Sequence, residues 1–335
     1  MSKVPKINLK KSILYFKSLI DENGIIQFTK GYEKDYSFGY AIEDQARALI
    51  LCIYLKDFDL IRRFYFLIES SLLKDKGVDL LRNAKGELSG RPDNFKEASS
   101  EVLWSLCELK NSLYGVSFQP KLDRMIDNLE KGLLKSRFLR VWAYSLLGLS
   151  FYDKKLTSYF ADRLINKFER ERSKNWLWFE DKLTYANALF PWSLFRAFLL
   201  TGRNNYLKVA ELSLGFLLSN LVKDNLPVVV GNKGWWKKGG KMALFGQQPI
   251  DVSYLVLCLV EAYLVTKKDI YKEKALFYYG WFFGNNISKK SMIREDGACF
   301  DGLYKGKVNE NAGAESNICY LLASISLKKA GILKL

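Results

Sequence analysis

Acidic residues are grouped at or just before the start of five of the six even-numbered predicted helices. The groups are Glu43-Asp44, Glu97 with Glu101, Glu180-Asp181, Asp251 and Glu315. A single acid in such a position is commonly a cap, because it accepts hydrogen bonds from free amides and complements the helix dipole. Capping should act equally on the other helices, whose starts are poorer in acids flanked by aromatic residues. We therefore expect the grouped acids to converge on one site.

Carboxylates beside Trp and Tyr rings are the side chains that bind and cleave sugars. One carboxyl can protonate the leaving glycosidic oxygen while a second activates water or attacks the sugar carbon. Glu180 and Asp181 are adjacent, so on a helix their side chains would diverge by about 100° and each would need a partner from another helix.

The chain contains no histidine. This excludes Ser-His-Asp and Cys-His nucleophile systems, His-ligated metal sites and imidazole acid–base chemistry. Proton transfer must fall to Asp, Glu, Tyr, Lys or Cys, and we expect neither a metal nor a cofactor. The five cysteines are odd in number and lack CxxC spacing, which predicts reduced core cysteines and a cytoplasmic protein.

The formal net charge is +16, with lysines spread along the whole chain and no nucleic-acid-binding signature. A solvated, lysine-rich surface is the favoured interpretation, and an anionic substrate or an anionic lipid surface is the alternative. We expect no signal peptide and no integral membrane segment, since no apolar run near the N-terminus or elsewhere has the required length.

Helical periodicity recurs throughout and strand-type alternation is almost absent. The expected helices cover residues 8–21, 41–56, 58–74, 95–111, 119–134, 138–152, 155–171, 182–200, 204–222, 251–266, 269–284 and 314–330. Links that enter even-numbered helices are mostly long and links that leave them are mostly short, so the long loops should share one end of an antiparallel array. Six hairpins without a repeating sequence unit favour a closed toroid over an open solenoid. No Pro-, Gly- or Ser-rich linker divides residues 1–335, which predicts one domain.

The loop at residues 231–240 has two interpretations that the sequence leaves open. It can be a flap in which Trp235 or Trp236 stacks on a sugar, or a turn-rich connection whose aromatic residues tuck under the ring. It lacks the P-loop pattern, which argues against nucleotide binding.

Four ordered motifs resemble a family within the six-hairpin glycosidase superfamily whose members are encoded beside, or fused to, glycosyltransferases. The motifs span residues 39–48, 178–187, 247–251 and 308–316. The resemblance implies an all-α, (α/α)6 barrel with a carbohydrate site at its loop-bearing end. The chain departs from the family pattern at Ala186, where an Asp is usual, at Glu43, which replaces an Asp, and beside Glu97, where an Asp is absent.

The resulting hypothesis is a glycoside hydrolase that acts on an oligosaccharide or glycoconjugate through two carboxylates. The candidate catalytic residues are Asp44, Glu180, Asp181, Asp251 and Glu315. The candidate substrate-binding residues are Tyr40, Glu43, Arg47, Trp178, Tyr185, Trp235, Trp236, Gln248 and Asn311. The alternative is a non-catalytic glycan-binding or scaffold partner of a glycosyltransferase, which loss of an Asp at position 186 would favour.

Other enzymes built on helical toroids fit the sequence less well. Terpenoid cyclases and prenyltransferases need DDxxD, DxDD or Cys/His metal motifs that the chain lacks. Sugar epimerases and lyases often use His as their base.

Overall fold

The computed structural model describes residues 9–74 and 77–334. Within these residues the chain forms twelve α-helices. They are α1 (Leu9–Ser18), α2 (Ile42–Leu55), α3 (Phe58–Ser71), α4 (Glu97–Lys110), α5 (Lys121–Leu133), α6 (Leu139–Leu149), α7 (Lys154–Glu171), α8 (Leu189–Thr201), α9 (Asn204–Asn220), α10 (Pro249–Thr266), α11 (Asp269–Tyr279) and α12 (Ala314–Lys329).

The even-numbered helices form a closed inner ring. Each packs against the next, from α2 through α4, α6, α8 and α10 to α12, and α12 packs back against α2. The odd-numbered helices pack outside this ring. The predicted (α/α)6 toroid of six helical hairpins is therefore confirmed.

Hydrophobic patterning explains which helices lie inside. The outer helix α5 carries one apolar stripe, and its buried residues are Leu122, Met125, Ile126, Leu129 and Leu133. The inner helix α10 is apolar on all sides and is buried along almost its whole length. By length and composition alone, α10 is the one helix of the described residues that could cross a membrane. Its place in the inner ring accounts for its apolar character, although the sequence analysis expected no run of that length.

Fourteen short strands lie in the long loops of the described residues and pair antiparallel, two by two. The pairs are β1 (Ile20–Asp21) with β2 (Gly24–Ile25), β3 (Phe28–Lys30) with β4 (Glu33–Asp35), β5 (Tyr40–Ala41) with β8 (Leu81–Arg82), β6 (Leu72–Leu73) with β7 (Gly77–Val78), β9 (Lys182–Leu183) with β12 (Trp236–Lys237), β10 (Val222–Lys223) with β11 (Leu226–Pro227), and β13 (Gly302–Tyr304) with β14 (Lys307–Asn309). Two of these pairs, β5–β8 and β9–β12, join different loops and tie the loop-bearing end together.

Helix α8 begins seven residues later than the predicted start at residue 182, because a local turn precedes it. The Thr184 amide donates to Asn187 Oδ1 at 3.1 Å, and Asn187 Nδ2 donates to the Thr184 carbonyl at 2.7 Å. Ala186 adopts a left-handed conformation with φ 49°, which interrupts helical geometry. Residues 182–183 pair as strand β9 instead.

Four aromatic side chains fill the middle of the inner ring. Trp104, Tyr144, Tyr254 and Trp192 come from four successive inner helices, and each ring contacts the next in a closed circuit with centroids 5.5–6.3 Å apart. The Tyr144 and Tyr254 hydroxyls lie 3.2 Å apart. This aromatic layer separates the end of the ring that carries the long loops, here called the cleft end, from the opposite, closed end. All five cysteines are buried and free, as predicted.

Candidate functional site

A cavity of about 690 Å³ opens at the cleft end, above the first turns of the inner helices. Inner helices α2, α4 and α12 supply its acidic floor, and the long loops supply its walls. The wall residues include Gln27, Phe28, Phe95, Asn232, Gln248 and Tyr304. This cavity is called the acidic cleft below.

One guanidinium organises the floor of the acidic cleft. Arg47 contacts Glu101 through Nε (2.8 Å to Oε2) and Nη2 (3.1 Å to Oε1). Its Nη1 lies 3.1 Å from Asp44 Oδ1 and 3.3 Å from Glu315 Oε2. Burial raises the pKa of Asp44 and of Glu101 well above the ordinary value, while Arg47 acts to lower both. Arg47 thus joins α2 and α4 through charge-assisted hydrogen bonds and reaches α12 through an ion pair.

Glu315 differs from the other two partners of Arg47 in its access to solvent. Its side chain is 37 % exposed, whereas those of Asp44 and Glu101 are 4 % exposed. Of the three carboxylates bound to Arg47, Glu315 is therefore the one that water and a ligand reach most easily.

Glu43 and Asp301 are two further acids of the acidic cleft. Burial raises the pKa of Glu43, and its Oε2 has no hydrogen-bond partner among the described residues. Asp301 accepts hydrogen bonds from the Gly313 amide at 2.8 Å and the Ser316 hydroxyl at 2.7 Å, and burial raises its pKa to about 6. Both acids therefore stay protonated to higher pH than an exposed carboxyl.

A second cavity of about 840 Å³ adjoins the acidic cleft beside α6 and α7. Arg137, Arg140, Arg163, Lys167 and Arg170 line it, and we call it the basic groove. Its acids are Glu97, Glu171, Glu180 and Asp181. The two predicted acids Glu180 and Asp181 therefore lie in the basic groove, apart from Asp44 and Glu315.

Glu97, Phe138 and Tyr185 line both cavities and form their junction. The Tyr185 hydroxyl lies 3.0 Å from Glu97 Oε1 and 2.9 Å from Oε2 and donates to this carboxylate. Burial raises the pKa of Glu97, with Arg140 and the Tyr185 hydrogen bond acting to lower it. The junction therefore presents one carboxyl that is poised to hold a proton.

Arg140 fixes the position of Tyr185. Its Nε and Nη2 donate to the Tyr185 carbonyl at 3.2 and 2.5 Å, and Nη2 also donates to Thr184 Oγ1 at 2.7 Å. Its guanidinium lies over the Tyr185 ring, 4.1 Å from the centroid, and its Nη1 is 3.9 Å from Glu180 Oε2. A single arginine thus connects the predicted residues Tyr185 and Glu180.

Asp251 does not line either cavity. It is buried beside residues 187 and 188, where the backbone amides of Ala186 and Asn187 face its carboxyl. Burial raises its pKa to about 8, and the two amides act to lower it. Its position therefore supports the loop that carries Tyr185 and gives it no access to a substrate in the cavities.

Three of the predicted aromatic contacts also lie in the packing around the cavities. Tyr40 is buried and its hydroxyl donates to Asp21 Oδ2 at 2.9 Å, while Trp178 is fully buried. Trp236 stacks on Phe216 with centroids 5.6 Å apart and planes 8° apart. Tyr40 and Trp178 are therefore covered by protein, whereas Trp236 is half-buried with one ring face against Phe216. None of the three side chains lines either cavity.

Trp235 is half-buried, with its ring centroid 6.3 Å from that of Tyr185, and it does not line either cavity of the described residues. Its loop is held by the β9–β12 pair and by the Lys238 amide, which donates to the Asp181 carbonyl at 2.8 Å. The structure therefore favours the connection over the flap. Among the predicted binding residues, Glu43, Arg47, Tyr185, Gln248 and Asn311 do line the acidic cleft.

Sequence reasoning noticed Glu97 and Glu101 as helix-start acids but did not assign them to the site. It missed Asp301, Tyr304 and Asn309, which the β13–β14 hairpin and its preceding residue bring to the wall. The signal available was the length of the loop between α11 and α12. Among the described residues no group of three or more His, Cys, Asp or Glu side chains is arranged to hold a metal ion.

No protein-family model matches the chain, and no curated protein does. Solved structures do resemble it. A D-mannose isomerase superposes with a TM-score of 0.73 at 10 % identity, over 96 % of each chain. A cellobiose 2-epimerase from Bacillus thermoamylovorans gives 0.72 at 12 % identity, over 97 % of this chain and 98 % of that one.

An alpha-1,6-mannanase from Salegentibacter sp. gives a TM-score of 0.67 at 9 % identity, over 96 % of this chain and 98 % of that one. An inactive variant of that mannanase, with two consecutive aspartates replaced by alanine, is known in complex with alpha-1,6-mannotetrose. The chain therefore shares the (α/α)6 fold of these structures. The acidic cleft of this chain lies at the loop-bearing end of that fold.

Proposed function

We propose that this protein hydrolyses an O-glycosidic bond of an oligosaccharide or glycoconjugate at the junction of its two cavities. The observation that carries the proposal is the position of Glu97, the one acid of the described residues that lines both the acidic cleft and the basic groove. A glycan that occupies both cavities places an inter-unit oxygen beside this carboxyl.

Glu97 has the environment of a general acid. Burial raises its pKa, so the carboxyl holds a proton at higher pH than an exposed glutamate. The Tyr185 hydroxyl, fixed through Arg140, sets the direction of the carboxyl and stabilises the carboxylate left after proton transfer. In this mechanism Glu97 donates its proton to the leaving oxygen as the glycosidic bond breaks.

Glu315 is the second carboxylate that we assign to the reaction. It faces the same cavity from α12, on the other side of α2, and its exposure lets water reach it. In this role Glu315 activates water or attacks the sugar carbon. Glu43, whose Oε2 has no hydrogen-bond partner among the described residues, accepts a hydrogen bond from a sugar hydroxyl nearby. Asp44 and Glu101 hold Arg47 in place beneath them.

Hydrolysis is favoured over epimerisation because the chain has no imidazole to relay a proton and several acids in the cleft. The Salegentibacter mannanase described as inactive lost two consecutive aspartates. In this chain the consecutive acids of the acidic cleft are Glu43 and Asp44, at the start of α2. The presence of two consecutive acids in both proteins supports a reaction carried out by carboxylates.

The test is a mass-spectrometric screen of purified protein against neutral and acidic oligosaccharides. The wild type is compared with Glu97→Gln and with Glu108→Gln, which changes an acid on the same helix at the closed end. We expect cleavage by the wild type and by Glu108→Gln and none by Glu97→Gln. Equal cleavage by all three proteins would remove Glu97 from the reaction.

A second candidate function is glycan binding without turnover, as a partner of a glycosyltransferase. It is favoured by Arg47, which forms ion pairs with three of the acids in the cleft. In that case no glycan is cleaved by any of the three proteins, and specific glycans still raise the melting temperature of the wild type.

A further inference from the structure

We propose that the basic groove binds a negatively charged group, a phosphate or a carboxylate, on the sugar unit next to the bond that is cleaved. This inference rests on the proposed function and defines its substrate class as anionic glycans. The groove adjoins the acidic cleft through Glu97, Phe138 and Tyr185, so a ligand in one cavity is continuous with a ligand in the other.

The cations of the groove come from two sides. Arg163, Lys167 and Arg170 are spaced at i, i+4 and i+7 on α7, which places them on one helical face. Arg137 and Arg140 stand opposite, at the start of α6. An anion between the two helices therefore meets positive charge from both walls.

Not all of these cations are neutralised within the protein. Lys167 pairs with Glu171 at 2.7 Å, and Arg140 lies near Glu180 at 3.9 Å. Arg137 and Arg170 form no ion pair among the described residues, and both are exposed. Arg170 Nε donates to the Asn166 carbonyl at 3.2 Å, which leaves its two Nη groups for a ligand. Both guanidinium groups can thus bind a phosphate or carboxylate in a bidentate geometry.

Arg163 contributes a third, partly satisfied guanidinium. It lies over the Trp142 ring at 4.6 Å, and its Nη1 donates to the Tyr159 hydroxyl at 3.3 Å. Its Nε is buried and has no hydrogen-bond partner among the described residues. Packing against Trp142 holds this cation in place, which lowers the entropy lost when an anion binds.

The start of α6 adds to the positive potential. Helix α6 has Phe138 at its N-cap and no side-chain cap, and Phe138, Leu139 and Arg140 line the groove. Uncapped amides and the helix dipole favour a negative charge at this point.

Three acids of the groove oppose this potential only in part. Glu171 is paired with Lys167, and burial raises the pKa of Glu180, so Glu180 keeps its proton to higher pH than an exposed glutamate. Asp181 is exposed at the rim. The unpaired charges near α6 and α7 are therefore mainly positive.

The test measures binding of three sugars that differ in one group: glucose, glucose 6-phosphate and glucuronate. Isothermal titration of the wild type is compared with Arg137→Gln/Arg170→Gln and with Arg62→Gln/Arg124→Gln. The control pair removes the same charge from two exposed arginines of α3 and α5 that line neither cavity.

We expect the wild type and the control to bind at least one anionic sugar about tenfold more tightly than glucose, a difference that shrinks with added salt. In Arg137→Gln/Arg170→Gln the preference should fall to about twofold or less. The two anionic probes separate phosphate from carboxylate recognition.

Equal binding of glucose and both anionic sugars by the wild type overturns the inference, and so does a preference that the groove variant retains. Failure of the proposed function looks different. In that case the anion preference and its loss in the groove variant are present, but no glycan is cleaved. Cleavage of neutral glycans without any anion preference would leave the hydrolase and remove the anionic substrate.

Discussion

The two ends of the inner ring contain the same kinds of charged residues in different surroundings. At the cleft end Arg47 contacts Asp44, Glu101 and Glu315 above the aromatic layer. At the closed end Arg196 lies near Glu108 and Glu261 beneath that layer, with Nη1 3.8 Å from Glu261. The cavity at the cleft end measures about 690 Å³ and the one at the closed end about 70 Å³.

The difference shows that acids and an arginine inside the ring do not make a site by themselves. At the closed end Trp104 Nε1 donates to Glu108 at 3.1 Å, and short links cover the helix ends. At the cleft end the long loops stand away from the helix starts and leave room for a ligand. Loop length, more than side-chain type, separates the end with an open cavity from the closed end.

The largest expected difference is between the turnover of Glu97→Gln and that of Glu108→Gln, two variants of the same helix. Glu97→Gln removes the proton donor, so we expect turnover to fall by about 10²–10⁴-fold. Because burial raises the pKa of Glu97, wild-type activity should persist to higher pH than an ordinary glutamate would allow. Initial rates between pH 4 and 9 measure both effects.

Glu108→Gln is the control for that comparison. It should keep turnover close to that of the wild type, since Glu108 lies below the aromatic layer. A loss of activity in Glu108→Gln as large as in Glu97→Gln would contradict the separation of the two ends.

Arg47 and Arg196 provide the next test. Arg47→Met leaves the buried carboxylates of Asp44 and Glu101 without their cation, so the free energy of unfolding should fall by about 3–5 kcal/mol. Arg196→Met should cost less, because Arg196 approaches Glu261 only at 3.8 Å and is more exposed. Urea denaturation of both variants measures the difference, and equal losses would show that the two clusters are energetically alike.

Asp251 should make stability depend on pH. Its pKa is raised from 3.8 to about 8 in the folded state, so its bound proton stabilises the fold below about pH 4 and that contribution is lost as the pH rises through 8. Asp251→Asn should therefore raise the melting temperature at pH 9 by a few degrees relative to the wild type.

The pH dependence is measured as melting temperatures at pH 5, 7 and 9. The matched control is Asp224→Asn, at an exposed position. If the advantage of Asp251→Asn were the same at pH 5 and pH 9, the titration of Asp251 would not be its cause.

The smallest expected effect concerns the backbone at Ala186. A left-handed conformation costs an L-residue about 1–2 kcal/mol, and glycine avoids that cost. Ala186→Gly should therefore raise the free energy of unfolding by up to about 1 kcal/mol. Ala188→Gly, two residues away at φ −65°, relieves no such strain and removes a buried methyl group, so it should lower the free energy of unfolding by about 0.8 kcal/mol. Guanidinium denaturation of both variants tests the sign, and destabilisation by Ala186→Gly would show that its buried methyl group outweighs the backbone cost.

The fold could be predicted from the sequence because each helix carries its own periodic signal. The alternation of long and short links then ordered the hairpins and placed the long loops at one end. The predicted start of α8 was wrong, because the turn at Thr184 and Asn187 depends on side-chain hydrogen bonds that hydrophobic periodicity does not detect. The short β-pairs were missed for the related reason that two-residue strands show no alternation.

The site was predictable only in part. Asp44, Arg47 and Glu315 could be found because helix starts at one end of a ring must face one space. Trp178 and Trp236 could not be separated from sugar-stacking residues, because composition does not reveal whether a ring face is covered. The basic face of α7 has a regular spacing, but a solvated helix face shows the same pattern.

The aromatic layer has a consequence for how a substrate enters. The aromatic layer blocks the middle of the ring, so a ligand in the cleft has no exit at the closed end. Its members are Trp104, Tyr144, Trp192 and Tyr254. A ligand reaches the floor through the same mouth by which it must leave. In the proposed function, a glycan therefore binds within or across the cleft end, and the products leave through that same end.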